Sequence, residues 1–417
     1  MKFDTIIIGG GLTGLLCALR LQKKGQKCAI VSSGQSAMHF WSGSFDLLNR
    51  LPDGTEVDTP FEAMAGLPSE HPYSIIGAER VRGYLDDAVS LLERVGCHID
   101  VPEDGKNRWR VSSMGSVKKC YLTLKDLLLA PSPEGKICEK ALVASLDGFL
   151  DFNSEFISKA IEDSGSPCRA VTIQLDALKK LRKSPTEMRA TNISRVLDRP
   201  TFKEYISQIK EKYDGEDLII LPAIFSLKDA VDAAQIGKVM NTTVRFVPTL
   251  PPSVPGIEVQ RALTDLFCLG GGTLLKGDTV TSGAFQGGRL TSIRTANIPD
   301  IEFSADNFVL ASGSFFSKGL TAERNSFFET ALGVDVEAPQ ERKEWFDAND
   351  FFAKQNYIGY GVKTTPGAGL KTSKDGAVIE NLYAAGAILG GCNALYEGCG
   401  GGVAISSAYF VADSILS

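Results

Sequence analysis

The sequence predicts a Rossmann-like α/β fold in which a parallel sheet binds a nucleotide, carries a β-meander and holds a second, inserted α/β domain. Three observations predict this fold. A strand pattern at residues 3–8 runs into a glycine motif at residues 9–14 and then into a helix pattern. A second glycine cluster follows a strand pattern within residues 379–402. Between these ends, residues 46–252 carry strand and helix patterns of their own.

The glycine motif lies between the first strand and the helix of a predicted β-α-β unit, and this context indicates its function. Residues 3–8 are apolar and rich in β-branched side chains, residues 15–24 have a helical pattern that stops at Gly25, and residues 27–31 are typical of a strand. Glycines at such a turn let the backbone approach a phosphate closely, and the N–H groups and dipole of the helix start attract the anion. The pattern therefore predicts a nucleotide phosphate at residues 9–14.

Later segments complete the predicted nucleotide domain. Residues 255–269 have apolar side chains at the spacing of an amphipathic helix, and residues 273–301 alternate short strands with turns, as in a β-meander. Residues 308–311 form an apolar strand that ends before Gly313. Glycine after a buried parallel strand indicates a loop that faces a ligand at the carboxyl edge of the sheet.

The C-terminal segment repeats this arrangement. Residues 379–385 have a strand pattern that ends at Gly386, and the glycines of residues 398–402 precede a helix of small residues at 403–415. We expect this second helix N-terminus to point at the same ligand as the first.

The middle of the chain is typical of a separate α/β domain. Its patterns indicate strands at residues 141–146 and 218–225, helices at 153–161 and 202–212, and loops at 131–135 and 184–191. We therefore assign a nucleotide-binding domain of residues 1–45, 253–320 and 376–417, an inserted α/β domain of residues 46–252, and a small second insert of residues 321–375.

Composition and charge exclude several classes of protein. The chain has 44 Lys and Arg against 50 Asp and Glu, a net charge of −6, whereas nucleic-acid-binding domains are usually strongly basic. Hydrophobic residues make up 43% and charged residues 23%, as in ordinary globular proteins. No apolar run reaches the roughly 18 residues that span a bilayer, and the N-terminal apolar run leads into the glycine motif rather than a signal-peptide cleavage site. We expect no nucleic-acid partner and only peripheral contact with a membrane.

Cysteine and histidine usage predicts no metal. The nine cysteines include no C-x-x-C pair and match no iron-sulfur or zinc spacing, and there are only three histidines. We expect buried, reduced thiols in a cytoplasmic protein. Cys392 and Cys399 are expected to be small buried residues rather than a redox pair.

Several strings of residues together resemble the B subunits of anaerobic glycerol-3-phosphate dehydrogenases over nearly the whole chain. They are residues 4–17, 34–37 with 42–44, 248–253, 311–317, 322–325 and 398–402. The fold implied by the resemblance is the FAD/NAD(P)-binding fold of the glutathione-reductase type.

The resemblance implies a flavin-containing subunit of a respiratory complex. Such a subunit pairs with an FAD-bearing catalytic A subunit, and a membrane-anchoring iron-sulfur C subunit completes the assembly. The complex is a glycerol-3-phosphate dehydrogenase (quinone), which oxidises sn-glycerol 3-phosphate to dihydroxyacetone phosphate and passes electrons to quinone, with fumarate or nitrate as terminal acceptor. The implied location is the cytoplasmic face of the bacterial inner membrane, through the partner subunits, and the implied cofactor is FMN.

A more distant resemblance bears on the choice of flavin. Residues 381–386 resemble the second flavin signature of the succinate dehydrogenase and fumarate reductase flavoproteins. Two positions depart from the wider pattern: Ser32 and Ser33 replace the acid that holds an adenosine ribose, and Ala387 replaces an acid of the superfamily. These losses favour FMN over the alternative, FAD, and they fit a degenerate site equally well.

The residues that we expect to contact the cofactor lie at glycine turns and strand ends. They are Gly9, Gly10, Gly11, Gly14, Ser32, Ser42, Gly43, Ser44, Gly313, Gly386, Gly400, Gly401 and Gly402. His39, near the serine-glycine loop, and Arg324, as a phosphate ligand, are the candidates for a catalytic role, with Arg189 and Arg195 as further phosphate ligands; surface or ion-paired roles stay open for all four.

Alcohol oxidation by hydride transfer needs a base as well as a flavin, and no residue stands out as that base. We therefore expect the oxidation of the alcohol to lie on the A subunit, while this chain supports it or relays electrons. Two alternatives stay open: a free-standing soluble flavoenzyme of the fumarate reductase type, and a non-catalytic assembly subunit with a degenerate flavin site.

Overall fold

The structure is a computed structural model that describes residues 1–179, 181, 188–225, 232–365 and 369–417. The chain forms two compact units. Unit 1 contains residues 1–37, 46–91 and 260–417, and unit 2 contains residues 38–45 and 92–259. The loop predicted at residues 184–191 falls partly outside the described residues.

The described residues form strands and helices throughout both units. The strands are β1 (Lys2–Ile8), β2 (Cys28–Ser32), β3 (Ser44–Phe45), β4 (Ile99–Asp100), β5 (Arg108–Val111), β6 (Val117–Cys120), β7 (Leu122–Leu124), β8 (Leu129–Ala130), β9 (Ala141–Leu146), β10 (Cys168–Ile173), β11 (Leu218–Pro222), β12 (Thr243–Val247), β13 (Thr273–Lys276), β14 (Val280–Gln286), β15 (Arg289–Thr295), β16 (Phe303–Leu310), β17 (Leu320–Ala322), β18 (Phe327–Glu329), β19 (Val336–Glu337), β20 (Gly361–Val362), β21 (Lys371–Lys374) and β22 (Ala377–Ala384). The α-helices are α1 (Leu12–Lys23), α2 (Pro60–Ala63), α3 (Pro72–Ile76), α4 (Ala78–Arg94), α5 (Ser154–Asp163), α6 (Asp176–Lys179), α7 (Ala190–Val196), α8 (Arg199–Lys212), α9 (Ala233–Met240), α10 (Val254–Leu269), α11 (Ala394–Glu397) and α12 (Gly400–Leu416).

A parallel sheet forms the core of unit 1. Its strands lie in the order β13-β2-β1-β16, and β22 pairs in parallel with the far side of β16. Ile6, Ile7 and Ile8 of the central strand β1 are buried, because both faces of the strand are covered. Uninterrupted apolar runs of this kind are typical of parallel sheets. The predicted N-terminal β-α-β unit and the Rossmann-like fold are confirmed.

The β-meander is shorter than predicted. β14 and β15 pair in antiparallel fashion, and β15 pairs in the same way with β16. The prediction also placed residues 273–276 in the meander, whereas β13 is an edge strand of the parallel sheet beside β2. The reason is the connection, since a strand that follows a long helix such as α10 returns parallel to the sheet.

The C-terminal helix α12 runs alongside α1. The Thr13 hydroxyl donates to the carbonyl of Ala404 at 3.2 Å, and the Arg20 guanidinium bonds the Asp413 carboxylate at 2.6 Å. Since these pairs follow the same order along both helices, the helices are parallel and their N-termini lie side by side. Helix α12 begins at Gly400, earlier than the predicted residue 403. In the described part of the chain, no helix is long and apolar enough to cross a membrane.

Residues 46–91 belong to unit 1, although the predicted boundaries place them in the inserted domain. Buried Tyr73 ties them there, since its hydroxyl donates to the carbonyls of Leu47 at 2.7 Å and Cys399 at 3.1 Å. Residues 321–375, predicted as a separate insert, also lie in unit 1. Such long-range contacts leave no periodic pattern in the sequence.

Unit 2 is built on a second parallel sheet with the strand order β10-β9-β11-β12. Ala141, Leu142 and Val143 of β9 are fully buried at its centre, which fits the strand predicted at residues 141–146. Two small antiparallel sheets, β3-β7-β4 and β6-β5-β8, complete the unit. The unit is therefore α/β in character, as predicted for the middle of the chain.

Candidate functional site

The loop between β1 and α1 brings three backbone segments into close contact. Gly9 has φ = +120°, and a Cβ atom there would lie 2.1 Å from the carbonyl oxygen of Ala311. A Cβ atom at Gly14 would lie 2.0 Å from the carbonyl oxygen of Gly9. Side chains are therefore excluded at both positions, and the loop is held against the carboxyl end of β16.

The first turn of α1 is open for an anion. Its N-cap residue is Gly11, and no side chain caps the helix. A Cβ atom at Gly11 would meet nothing closer than the Cβ of Ser36, at 3.6 Å, so this glycine is not required by packing. The first N–H groups of a helix have no partner within the helix, and the helix dipole favours negative charge there.

Gly386 meets the start of α1. It has φ = +77°, and a Cβ atom there would lie 2.4 Å from the hydroxyl of Thr13. Its N–H donates to the hydroxyl of Ser407 at 2.8 Å. The structure thus brings the two glycine clusters together at the adjacent N-termini of α1 and α12.

The predicted glycines of α12 lie in its first turn. A Cβ atom at Gly402 would lie 2.1 Å from the Tyr73 hydroxyl, and the N–H of Gly402 donates to the carbonyl of Asp46 at 2.9 Å. Packing alone therefore explains why residue 402 is a glycine, without any contact to a ligand. Cofactor contact at Gly400 and Gly401, as at Gly402, stays a prediction.

Polar side chains stand at the end of β2, where the expected acid is missing. A Cβ atom at Gly10 would lie 2.7 Å from the side chain of Ser32, so Ser32 faces the glycine loop. The Gln260 amide donates to the carbonyl of Gly10 at 2.6 Å and accepts from the Ser36 hydroxyl at 2.9 Å. Sequence reasoning missed Gln260, because it is one polar residue on an amphipathic helix, a pattern that gives no sign of its partners.

The end of β16 adds a buried hydroxyl beside the same loop. The Ser312 oxygen is buried and has no hydrogen-bond partner among the described residues, and the backbone nitrogen of Ser312 lies 3.0 Å from the Cβ position of Gly9. Next to it, Gly313 has φ = +83°. A buried hydroxyl without a partner costs free energy unless a ligand or water bonds it. Together with the open helix start, it fits a phosphorylated cofactor.

His39, Ser42, Gly43 and Ser44 belong to unit 2 rather than to the unit of the glycine loop. The carbonyl of His39 accepts from the N–H of Ser253 at 2.7 Å. Gly43 has φ = +78°, and Ser44 begins β3. Their contact with a cofactor stays a prediction.

The predicted phosphate arginines differ in their surroundings. Arg324 is exposed, and its carbonyl accepts from Arg342 at 2.9 Å; Arg195 is also exposed. Arg189 pairs with the buried carboxylate of Asp151 at 2.6 Å. An ion-paired arginine is a weaker phosphate ligand than one whose donors are available, so the structure gives no particular support to Arg189.

One buried cluster was not visible in the sequence. Ligand atoms of His71, Cys392 and Cys399 lie within 4.8 Å of one another. Both ring nitrogens of His71 are already bonded, Nδ1 to the N–H of Tyr73 at 3.0 Å and Nε2 to the carboxylate of Glu397 at 3.2 Å. The hydrogen bond between Cys399 and Cys392, together with burial, raises the pKa of the Cys399 thiol well above its ordinary value. The cluster is explained as a hydrogen-bonded part of the core.

Comparison with known proteins supports a flavin site. Residues 4–403 match the family model of the FAD binding domain. The B subunit of anaerobic glycerol-3-phosphate dehydrogenase from Yersinia pestis is 39% identical over 100% of this chain and 99% of its own length. Its counterpart in Pectobacterium carotovorum is 36% identical, covering 100% and 99%, and that in Vibrio cholerae is 35% identical, covering 100% and 97%.

Solved structures align more loosely. The Escherichia coli quinol fumarate reductase chain has a TM-score of 0.34 and 11% identity over 76% of this chain and 33% of its own, which is too distant to carry an argument. The family model describes FAD binding, so FMN as the first choice of cofactor is not supported. That choice followed the resemblance and the missing acids at Ser32, Ser33 and Ala387, whereas the structure places the neutral groups of Gln260 and Ser36 beside the glycine loop.

Proposed function

Because the chain belongs to the FAD-binding family and, within it, to the B subunits of anaerobic glycerol-3-phosphate dehydrogenase, we propose that it binds FAD and relays electrons within that dehydrogenase. The complex would oxidise sn-glycerol 3-phosphate to dihydroxyacetone phosphate, with the removal of two electrons and two protons, and reduce a quinone. This role requires an FAD-bearing A subunit, and an iron-sulfur C subunit that holds the complex at the cytoplasmic face of the membrane.

The open N-terminus of α1 is the observation that supports a bound dinucleotide. Gly9 and Gly14 keep the loop free of side chains, and the N–H groups that follow Gly11 are placed to bond the phosphates. A bound flavin supplies the electron-transfer chemistry. The chain's own residues bind and orient it.

Neutral groups replace the missing acid in this proposal. Ser32 ends β2, and Ser36 follows it and donates to Gln260 of α10. Their hydroxyl and amide groups would bond the ribose in place of a carboxylate. Neutral hydrogen bonds are weaker than bonds to a charged group. We therefore expect Ser32→Asp to retain FAD more tightly than the natural chain.

The first test is the identity of the flavin. The chain would be purified by itself and together with the A subunit, denatured, and the released flavin identified and counted by chromatography. We expect about one FAD per chain. FMN would restore the mononucleotide alternative, and the absence of flavin in both preparations would favour a non-catalytic role in assembly. Reduction of a dye by the isolated chain with glycerol 3-phosphate would favour a free-standing enzyme.

A variant at Gly11 tests flavin binding without destabilising the fold. Gly11→Asp places a carboxylate where the phosphate is expected, yet aspartate is a good N-cap and Gly11 has room for a side chain. We expect at least a tenfold loss of bound flavin, with an unfolding temperature of the flavin-free chain that is unchanged or higher. Gly34→Asp is the matched control, because Gly34 is exposed and meets nothing within 4 Å. Full flavin content in Gly11→Asp would contradict the proposal.

A further inference from the structure

A loop of unit 1, residues 346–353, carries the two most exposed aromatic side chains among the described residues. Phe352 is 92% exposed and Phe351 is 85% exposed. Their rings meet in a T-shaped arrangement, with the centroids 5.3 Å apart. A third aromatic residue of this aromatic loop, Phe346, is 41% exposed. Single exposed apolar side chains are ordinary, but a cluster of them marks an interaction site.

Hydrogen bonds fix the shape of the aromatic loop. The Gln355 side chain accepts from the N–H of Asp347 at 3.0 Å and donates to the carbonyl of Asp350 at 3.1 Å. The Asp350 carboxylate accepts from the N–H of Phe352 at 2.8 Å. The Asn393 amide donates to the carbonyl of Gln355 at 2.9 Å, which ties the loop to the start of α11. A preformed loop loses less conformational entropy when it binds a partner.

The aromatic loop is also acidic. Asp347 and Asp350 are exposed, and residues 346–353 contain no Lys or Arg. The next base along the chain, Lys354, donates to the carbonyl of Pro52 at 2.9 Å, and its ammonium lies 5.0 Å from the ring centroid of Tyr396. Exposed rings beside two carboxylates fit a partner surface that has an apolar pocket with Lys or Arg at its edge.

The sign of this charge distinguishes between the kinds of partner. The cytoplasmic surface of a membrane is anionic and would repel the two carboxylates. Two copies of this chain that met at the loop would bring like charges together. The B-subunit family to which the chain belongs works in a complex of several subunits. Within that complex, an acidic face is better placed against the A subunit than against a C subunit that lies at anionic lipid.

We propose that the aromatic loop is the docking site for the A subunit, with Phe351 and Phe352 filling an apolar pocket edged by Lys or Arg. The inference rests on the proposed function, which places this chain in the dehydrogenase complex. Two phenylalanine side chains bury about 300–500 Å². A standard interface buries about 800 Å² on each partner. The pair therefore forms the centre of the interface, where a few residues carry most of the binding free energy.

The test is binding of the full chain to the purified A subunit, measured by titration calorimetry. The double variant Phe351→Ser and Phe352→Ser should lower the affinity at least a hundredfold. Leu269→Ser is the matched control, because Leu269 is 87% exposed elsewhere in unit 1, and it should leave the affinity unchanged. Because the replaced side chains are exposed, both variants should keep the unfolding temperature of the natural chain. Equal affinity in the double variant, or no binding of the A subunit by the natural chain, would overturn the proposal.

The charge of the loop gives a second readout. Asp347→Asn with Asp350→Asn keeps an acceptor oxygen at each position and removes both charges. Association with the A subunit should become severalfold slower at low salt. The difference should vanish near about 0.5 M salt, where exposed charges are screened. An association rate that the charge variant leaves unchanged at low salt would contradict a basic partner surface.

Two further measurements address the other occupants. The natural chain should neither sediment with vesicles of anionic phospholipid nor form a dimer in analytical ultracentrifugation. Vesicle binding or dimerisation that the double Phe variant abolishes would overturn the proposal. The flavin site fails or stands separately. A flavin-free chain that docks on the A subunit through the loop would refute electron relay alone, and FAD with full docking in the double variant would refute this inference alone.

Discussion

Gly9 adopts a backbone conformation that side chains rarely allow, with φ = +120° and the carbonyl of Ala311 against its α-carbon. Gly9→Ala should therefore destabilise the chain by at least about 2 kcal/mol, since both the strained φ and the clash with backbone oppose it. Thermal unfolding and flavin content would measure the effect together. Gly34→Ala, at an exposed glycine with open space, should change neither. An unaltered unfolding temperature in Gly9→Ala would refute this account of the loop.

Within the first turn of α12, packing constrains Gly402 but not Gly400. A Cβ atom at Gly402 meets the Tyr73 hydroxyl at 2.1 Å, whereas one at Gly400 meets the Ala394 Cβ at an ordinary 3.4 Å. Gly402→Ala should cost about 1–3 kcal/mol through overpacking, and Gly400→Ala should cost less than about 0.5 kcal/mol. Denaturant unfolding measures both.

A double variant tests the cause. Tyr73→Phe removes the hydroxyl that Gly402→Ala would strike, so the double variant should be less destabilised than the sum of the single variants. Strict additivity would mean that Tyr73 is not the group that excludes a side chain at position 402.

At the scale of elements, the segment before β19 is fixed to the hairpin of β21 and β22 by one carboxylate. Asp335 accepts from the Ser373 hydroxyl at 2.7 Å, the N–H of Asp375 at 2.9 Å and the N–H of Gly376 at 3.0 Å. Burial opposes ionisation, but these bonds outweigh it and lower the pKa of Asp335 below its ordinary value. The connection is therefore strongest when this carboxyl is ionised.

This lowered pKa predicts the pH dependence of stability. A carboxyl with a lowered pKa in the folded state stabilises the fold above its unfolded pKa, near 4, and loses that contribution as the pH falls through the folded value. Asp335→Asn should cost about 1–2 kcal/mol at pH 7, and its difference from the natural chain should shrink below about pH 4. Denaturant unfolding between pH 3 and pH 8 would show this, with exposed Asp300→Asn as the flat control. A difference that is constant over this range would contradict the assignment.

Elements with continuous apolar patterns were predictable from the sequence, and their partners were not. Strands at 3–8 and 141–146 are apolar because both faces are buried, a property that the sequence displays directly. β13 was misplaced because its neighbour, β2, is far away in the chain. The start of α12 was placed too late, because consecutive glycines seldom begin a helix.

For the whole molecule, cysteine burial predicts the order in which the thiols of the described residues react with a reagent. Cys268 is exposed on α10. Burial raises the pKa of Cys28 to about 12, that of Cys97 to about 12 and that of Cys168 to about 11. At pH 8 a thiol with a pKa of 12 is a thiolate in about one molecule in ten thousand, so it reacts slowly as well as being covered.

A thiol reagent would check this. Under native conditions at pH 8, we expect mass spectrometry to find Cys268 modified first and the half-buried Cys138 and Cys168 more slowly, with the buried thiols following only on unfolding. Cys268→Ser should abolish the rapid phase. Rapid modification of Cys28 or Cys97 would show that unit 1 or unit 2 opens more readily than this packing allows.

The candidate site was only partly predictable from the sequence. The glycine turns of unit 1 were predictable because a tight strand-to-helix turn requires glycine at particular positions. Gln260 and Ser312 were not, because their neighbours in the site, Gly10 and Gly9, are distant in the sequence and an isolated polar residue has no periodicity.

The place of β1 between β2 and β16 dictates the order in which the nascent chain acquires its structure. Lys2 pairs with Ser304, so β1 waits for a strand about 300 residues further along the chain before its second edge is covered. The parallel sheet of unit 2 is complete once Val247 has emerged. Because contacts of large sequence separation form slowly, unit 2 is expected to fold during synthesis while β1 is still exposed. During the interval between these events, the exposed apolar strand β1 is expected to be most prone to aggregation.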